Sequence, residues 1–270
     1  MKNALLLFFF LSSPLFSADN PTSDFLSLCK VSLTKTLEHE EMCSTIHQKF
    51  FSKVTSVDIA NYKPSDVLAP PDPIDSKIQY LVFNDPNYVP GVAYCYFVFR
   101  GWVSMNSMSP DAFGESVSGF SILNEDIKKY QQWLKQETFG KKCQQLVEKD
   151  SQVQIVNLEE TLKLGVALIG LNPYALIKSP GATTESVLQE MKTTTNHERI
   201  HAYQVLCPLF EKWSIDQWGK LATKEKNIYI KKYNAYNWSI PQIAGREFIA
   251  FLYETAPEKI AEQVKSCSKK

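Results

Sequence analysis

The sequence lacks an excess of charge of either sign, because 29 Lys and Arg residues balance 29 Asp and Glu residues. A neutral chain has no general electrostatic attraction for nucleic acid or for an anionic membrane surface, so the composition argues against both partners. Internal repeats and low-complexity tracts are also absent. With 44% hydrophobic residues, the chain has the composition of a folded protein rather than a disordered one.

Long apolar runs are missing everywhere except at the start of the chain. Residues 4–11 are apolar, follow Lys2 and precede small residues ahead of Asp19, which is the pattern of a cleaved secretory signal peptide. No later run is long enough to cross a bilayer. We therefore predict that residues 1–18 are a signal peptide, that the mature protein is secreted or periplasmic, and that it has no stable membrane span.

Six cysteines follow the predicted signal peptide. An even number of cysteines in an exported chain indicates disulfide bonds, and none of the six lies in a recognisable nucleophile context. From their order we predict three pairs, although the sequence alone does not choose among the possible pairings. The predicted pairs are Cys29–Cys43, Cys95–Cys143 and Cys207–Cys267.

The chain divides into segments of different composition. Residues 19–60 carry apolar residues at spacings of three to five, which predicts an N-terminal helical segment. Residues 61–76 contain four prolines and are predicted to be an extended linker. Residues 77–270 then form the predicted main domain.

Within the main domain the patterns alternate between strand and helix. Residues 92–105 are rich in Tyr, Phe, Val and Trp, and residues 77–83 and 116–123 are further strand candidates, so we predict strands that form a small antiparallel sheet. Residues 124–147 and 159–169 are predicted to be helical. The expected fold class is α+β, a helix-rich domain with a small antiparallel sheet, preceded by the N-terminal helical segment.

Histidine is scarce, and two of the four histidines lie in one pentapeptide, His197-Glu198-Arg199-Ile200-His201. Residues four apart lie on one face of a helix, so His197 and His201 can bind one metal ion. Glu198 lies beside them and can reach a water molecule on that metal. Pro208 predicts that this helix ends near Leu206.

This His-Glu-x-x-His pentapeptide resembles the signature of the zincin metallopeptidases. The resemblance implies that His197 and His201 are zinc ligands and that Glu198 is the general base. Arg199 departs from the family's usual uncharged residues. A non-catalytic exported binding protein with a zincin-derived fold is therefore the alternative interpretation.

Catalytic zinc usually takes three protein ligands and a water molecule. No histidine follows His201, which excludes the metzincin pattern and favours a carboxylate, as in the gluzincins. Glu247 is the best-placed candidate, on a helix predicted to start near Ser239 that resembles the glutamate helix of gluzincins. Glu254 is the second candidate and Asp216 the third.

The resemblance implies an exported zinc-dependent metallopeptidase of gluzincin type that hydrolyses peptide bonds with a metal-activated water. Its cofactor would be Zn²⁺ and its partner a peptide or protein substrate; a non-peptide amide is a further possibility. Tyr233 and Tyr236, in the loop before the predicted glutamate helix, are candidates for binding the substrate or the oxyanion.

Overall fold

A computed structural model describes residues 37–46, 78–83, 86–162, 167–178, 181–233 and 236–265. The predicted signal peptide (1–18) and linker (61–76) lie outside these residues, as does most of the predicted segment 19–60. In the part of the chain so described, no helix combines the length and the apolar content needed to cross a membrane.

The described chain is a helix-rich α+β fold with one small sheet, as predicted. The strands are β1 (Ile78–Val82), β2 (Gly119–Leu123) and β3 (Ala167–Leu171). The helices are α1 (Leu37–Ile46), α2 (Cys95–Phe99), α3 (Pro110–Ser116), α4 (Asn124–Leu134), α5 (Gly140–Asp150), α6 (Leu158–Thr161), α7 (Pro173–Ile177), α8 (Thr184–Leu206), α9 (Pro208–Lys220), α10 (Thr223–Lys232), α11 (Pro241–Tyr253) and α12 (Ala261–Lys265). Short 3₁₀ turns cover Pro86–Tyr88 and Pro257–Ile260, and a π-helical turn covers Pro90–Tyr94.

The sheet has the strand order β1–β3–β2 and is mixed. β3 lies in the centre, parallel to β1 and antiparallel to β2. The prediction of a purely antiparallel sheet was therefore wrong for the β1–β3 pair. The crossover from β1 to β3 is long, which is what a parallel pair requires.

Two of the predicted segments have a different structure. Residues 92–105, predicted as a strand, form part of the π-helical turn Pro90–Tyr94 followed by α2 and a turn. Residues 159–169, predicted as a helix, end in the central strand β3. The turn Pro90–Tyr94 and strand β3 are buried throughout, so neither stretch shows the polar–apolar period that distinguishes a helix from a strand.

The sheet separates two hydrophobic cores, because alternate residues of β3 point to opposite faces. Ala167, Ile169 and Leu171 face the first core, which contains buried residues of α8, α9 and α11. We call it the α8 core. Leu168 faces the second core, which contains buried residues of α2, α4 and α5 and which we call the α5 core.

A disulfide bond between Cys95 and Cys143 joins α2 to α5 inside the α5 core, with a Cα–Cα distance of 5.8 Å. This confirms one of the predicted pairs. Cys43 and Cys207 are also disulfide-bonded. Their predicted partners, Cys29 and Cys267, lie outside the described residues.

The long helix α8 is fixed to its neighbours at both ends. Thr183 caps its N-terminus through a hydrogen bond with Ser186, and the helix ends at Leu206, as Pro208 predicted. Its middle lies against β2 at Gly119, where an added Cβ atom would come within 2.2 Å of Thr194 Cγ2. Glycine at this position therefore permits the close approach of α8 to the sheet.

Candidate metal site

Helix α8 presents two histidine rings on one face, one turn apart. His197 is buried and His201 is half-buried. Their Nε2 atoms lie 3.2 Å apart, and the two ring planes are nearly perpendicular, at 82°. The i and i+4 spacing of the sequence thus brings two imidazole nitrogens to one point.

Glu247 of α11 completes the cluster, as predicted. Its Oε2 atom lies 3.4 Å from His197 Nε2 and 3.6 Å from His201 Nε2. Gly245, two residues earlier, allows α11 to approach α9, because a Cβ atom there would lie 2.6 Å from the Cα of Ile215. The three side chains form a group that could hold a metal ion, in which the candidate ligand atoms all lie within 4.8 Å of one another.

Glu254, the second candidate for the third ligand, lies on the other side of the His197 ring from the cluster. Its Oε2 atom lies 2.9 Å from His197 Nδ1, the ring nitrogen that points away from the cluster. A carboxylate in this position orients a ligating histidine instead of binding the metal itself. Asp216, the third candidate, is exposed on α9 and is not part of the cluster.

His201 has an orienting partner that the sequence analysis missed. Its Nδ1 atom lies 3.1 Å from Oε1 of Gln204, a fully buried residue. The amide nitrogen of Gln204 donates to Ser214 Oγ of α9 at 3.2 Å and to the carbonyl of Arg246 in α11 at 3.1 Å. This one amide links the three helices around the site. No sequence pattern distinguishes it from any other glutamine on a helix.

These partners fix the tautomers of both histidines. A carboxylate only accepts hydrogen bonds, so the neutral His197 ring carries its proton on Nδ1, facing Glu254. The Arg246 carbonyl also only accepts, which turns the amide oxygen of Gln204 towards His201 Nδ1 and places the proton there as well. The Nε2 lone pairs of both rings therefore face each other and Glu247.

In the neutral rings, two lone pairs and a buried carboxylate repel one another unless a proton or a metal ion lies between them. Glu247 Oε2 is buried and has no hydrogen-bond partner. Two imidazole nitrogens and one carboxylate oxygen are a donor set that suits a divalent metal ion with room for a water molecule. The residues therefore fit a metal ion.

The pKa values of His197 and Glu247 also show that positive charge is favoured at this site. Burial alone would lower the pKa of His197, but the neighbouring carboxylates Glu247 and Glu254 outweigh burial and raise this pKa to about 10. Burial opposes ionisation of Glu247, yet the nearby rings of His201 and His197 lower the pKa of Glu247 to about 2. Glu247 is therefore anionic at neutral pH.

The other two residues of the motif face different environments. Glu198 is half-buried, and its negative charge contributes to the raised pKa of His197, which places it near the cluster. Arg199 is buried, donates from Nη2 to the hydroxyl of Tyr203 at 2.8 Å and lies over the Tyr203 ring. The charge that departs from the zincin pattern is thus engaged along the helix, away from the ligand atoms.

Of the two candidate tyrosines, Tyr236 lies nearer the cluster. Burial raises the pKa of Tyr236, and three nearby carboxylates raise it further. These carboxylates are Glu247, Glu198 and Glu254. Tyr233 instead stacks on Phe251 with ring centroids 3.5 Å apart and hydrogen-bonds with Lys232.

The cluster opens into a cleft of about 330 Å³. His201 and Glu247 form part of its lining, and residues of β2, α4, α11 and the turn after α2 form the rest. These residues are Arg100, Trp102, Ser121, Leu123, Glu125, Asp126, Lys129, Gln242, Ile243 and Arg246. A ligand in this cleft can therefore contact two of the three residues of the cluster.

Comparison of the chain with protein-family models, curated proteins and solved structures finds no match. The chemistry of the site therefore has to be inferred from its own residues.

Proposed function

We propose that this protein is an exported zinc-dependent metallopeptidase of the gluzincin type that its motif resembles. The observation that carries the proposal is the group of His197, His201 and Glu247, of which His201 and Glu247 line an open cleft. A structural zinc site usually has four protein ligands and is closed, whereas a catalytic site has three and remains accessible.

Zinc is the proposed ion because its usual ligands include imidazole nitrogen and carboxylate oxygen in tetrahedral geometry. His197, His201 and Glu247 would hold it. When bound, zinc supplies a Lewis acid that lowers the pKa of a water molecule and polarises a carbonyl group. Glu254 and Gln204 keep both Nε2 lone pairs available for it.

Glu198 is the proposed general base. It follows His197 on α8 and lies half-buried near the cluster, where its carboxylate accepts a proton from the attacking water and later donates it to the leaving amine. The raised pKa of Tyr236 keeps its hydroxyl protonated near the cluster. Tyr236 is therefore the proposed donor to the tetrahedral oxyanion.

Strand β2 supports a peptide as the substrate. It lies at the edge of the sheet, and Ser121 and Leu123 line the cleft. The N–H of Leu123 points away from β3 and donates to the hydroxyl of Tyr96 at 3.4 Å. Backbone direction alternates along a strand, so the backbone groups of Ser121 face the same open edge and can pair with an extended peptide.

The test compares Glu198→Gln with the wild type. Because Glu198 is a proton carrier and not a ligand, we expect the variant to keep about one zinc ion per chain and to lose at least about a hundredfold in peptide hydrolysis. Zinc is measured by elemental analysis, and hydrolysis with a mixture of unstructured peptides analysed by mass spectrometry.

Glu190→Gln is the matched control, since Glu190 is an exposed glutamate of the same helix. It should leave both zinc and hydrolysis unchanged. A wild-type protein that holds zinc but cleaves no peptide would contradict the peptidase proposal and favour the non-catalytic binding protein. A wild-type protein that holds no zinc would also contradict the peptidase proposal.

A further inference from the structure

The cleft has a second polar region that the proposed hydrolysis does not use. Arg100 follows α2, Trp102 lies in the next turn, and Lys129 is on α4. All three line the same cleft as His201 and Glu247. A substrate held at the cluster can therefore extend to these side chains.

Arg100 is anchored on one side and open on the other. Its Nη1 donates to the carboxylate of Asp126, which also accepts a hydrogen bond of 2.8 Å from the hydroxyl of Tyr96. The guanidinium also lies 5.0 Å from the centre of the Trp102 ring. These contacts hold the guanidinium in place, and its remaining N–H groups have no partner among the described residues.

An arginine held in this way is a preorganised carboxylate receptor. Its planar fork of donors matches the two oxygens of a carboxylate, and little side-chain entropy is lost on binding because the side chain is already ordered. The ion pair with Asp126 neutralises the net charge of Arg100. Directional hydrogen bonds, more than net charge, would therefore provide the attraction.

Lys129 supplies the charge that Arg100 lacks. It is exposed and forms no ion pair with a described residue. Arg246, the third cation of the cleft, is already paired with Glu211 at 2.6 Å and lies 3.5 Å from Glu125. The available anion-binding groups are thus concentrated at Arg100 and Lys129.

We infer that Arg100 and Lys129 form a subsite for an acidic side chain of the substrate. The proposed peptidase would then cleave peptides that place a Glu or Asp in this part of the cleft in preference to peptides with Gln or Asn. The inference rests on the proposed function only for taking the ligand to be a peptide.

The test measures binding instead of cleavage, in the zinc-loaded Glu198→Gln protein. The probes are short fluorescent peptides of Ala, Gly and Ser in which a single Glu, or a single Gln, is moved through the positions. Fluorescence anisotropy gives the dissociation constants. A charge-assisted hydrogen bond predicts that at least one Glu peptide binds about tenfold more tightly than its Gln counterpart.

Arg100→Gln and Lys129→Gln should each reduce this preference, whereas Lys128→Gln, an exposed neighbour outside the cleft lining, should not. Arg100→Lys is included because it keeps a cation beside Asp126 if Arg100→Gln does not fold. It should weaken the preference by removing the planar fork.

Equal binding of Glu and Gln peptides at every position would overturn the inference, as would a preference that survives both Arg100→Lys and Lys129→Gln. The same titration on protein without zinc separates the two proposals. A Glu preference without zinc binding or wild-type hydrolysis would support the subsite and contradict the peptidase.

Discussion

The two cores on either side of the sheet differ in the polar groups that they hold in place. Both contain aromatic pairs, such as Tyr96 with Tyr130 at 5.6 Å in the α5 core and Trp218 with Phe248 at 5.7 Å in the α8 core, and both contain disulfide-bonded cysteines. The α8 core lies beside the buried side chains of His197 and Gln204, and hydrogen bonds between helices fix the Gln204 amide. The α8 side of the sheet thus combines apolar packing with a network that sets the positions of a few polar atoms.

This difference has an energetic basis. Apolar contacts are individually weak and tolerate small shifts, whereas a buried polar group costs about 1–3 kcal/mol if its partner is lost. A network such as Gln204 with Ser214 and Arg246 therefore permits few arrangements of α8, α9 and α11. The hydrogen bonds beside the α8 core fix the positions of the site residues, and Arg100, Trp102 and Asp126 beside the α5 core form part of the cleft wall.

The largest expected effect on the α8 side of the molecule is the loss of zinc when the third ligand is removed. Glu247→Ala deletes one of three protein ligands, and we expect zinc content to fall from about one ion per chain to none, with an affinity loss of more than about a hundredfold. Elemental analysis after gel filtration measures the zinc content. Glu258→Ala, at an exposed glutamate beyond α11, is the control. Retention of zinc by Glu247→Ala would remove Glu247 from the site.

Removal of the Cys95–Cys143 disulfide should weaken the α5 core and leave zinc binding unchanged. Replacing Cys95 and Cys143 by serine opens a loop of 48 residues, which is expected to lower the free energy of unfolding by about 4 kcal/mol. Urea denaturation measures this loss. At low urea the variant should still bind about one zinc ion per chain. Loss of zinc under folded conditions would show that the two cores are not independent.

A smaller effect is expected from a variant that tests whether the buried amide of Gln204 orients His201. Gln204→Met keeps a similar volume but removes the acceptor that fixes His201, so zinc affinity should fall roughly tenfold to a hundredfold. Competition with a chromogenic chelator measures the affinity. Gln189→Met, at an exposed position of the same helix, should change nothing. Equal affinities in the two variants would assign Gln204 to helix packing alone.

The central residues of the site could be predicted from the sequence because their chemistry follows from local spacing. His197 and His201 lie one turn apart on any helix, and a carboxylate on a second amphipathic helix was the remaining source of a ligand. Gln204 could not be predicted, because its role depends on a carbonyl of α11 that only the tertiary fold brings near. Arg100 and Asp126 are joined in the same way across distant parts of the chain.

The two errors in the type of secondary structure have one physical cause. The residues of the turn Pro90–Tyr94 and of β3 are all buried, and an apolar run that is buried on every side looks alike in a helix and in a strand. In contrast, α8 carries its own boundaries, since Thr183 caps one end and Pro208 follows the other. The C-terminal end of α8 near Leu206 was therefore predicted correctly, whereas the secondary structure of the segments defined only by burial was not.

The three residues that can hold a metal belong to two helices far apart in sequence, and the shared amide of Gln204 exists only when α8, α9 and α11 are packed together. An unfolded chain therefore offers no comparable site. By mass action, each tenfold rise of free zinc above its dissociation constant would then add about 1.4 kcal/mol to the stability of the folded protein. In its proposed exported setting, the supply of zinc would determine the stability of the folded protein as well as its activity.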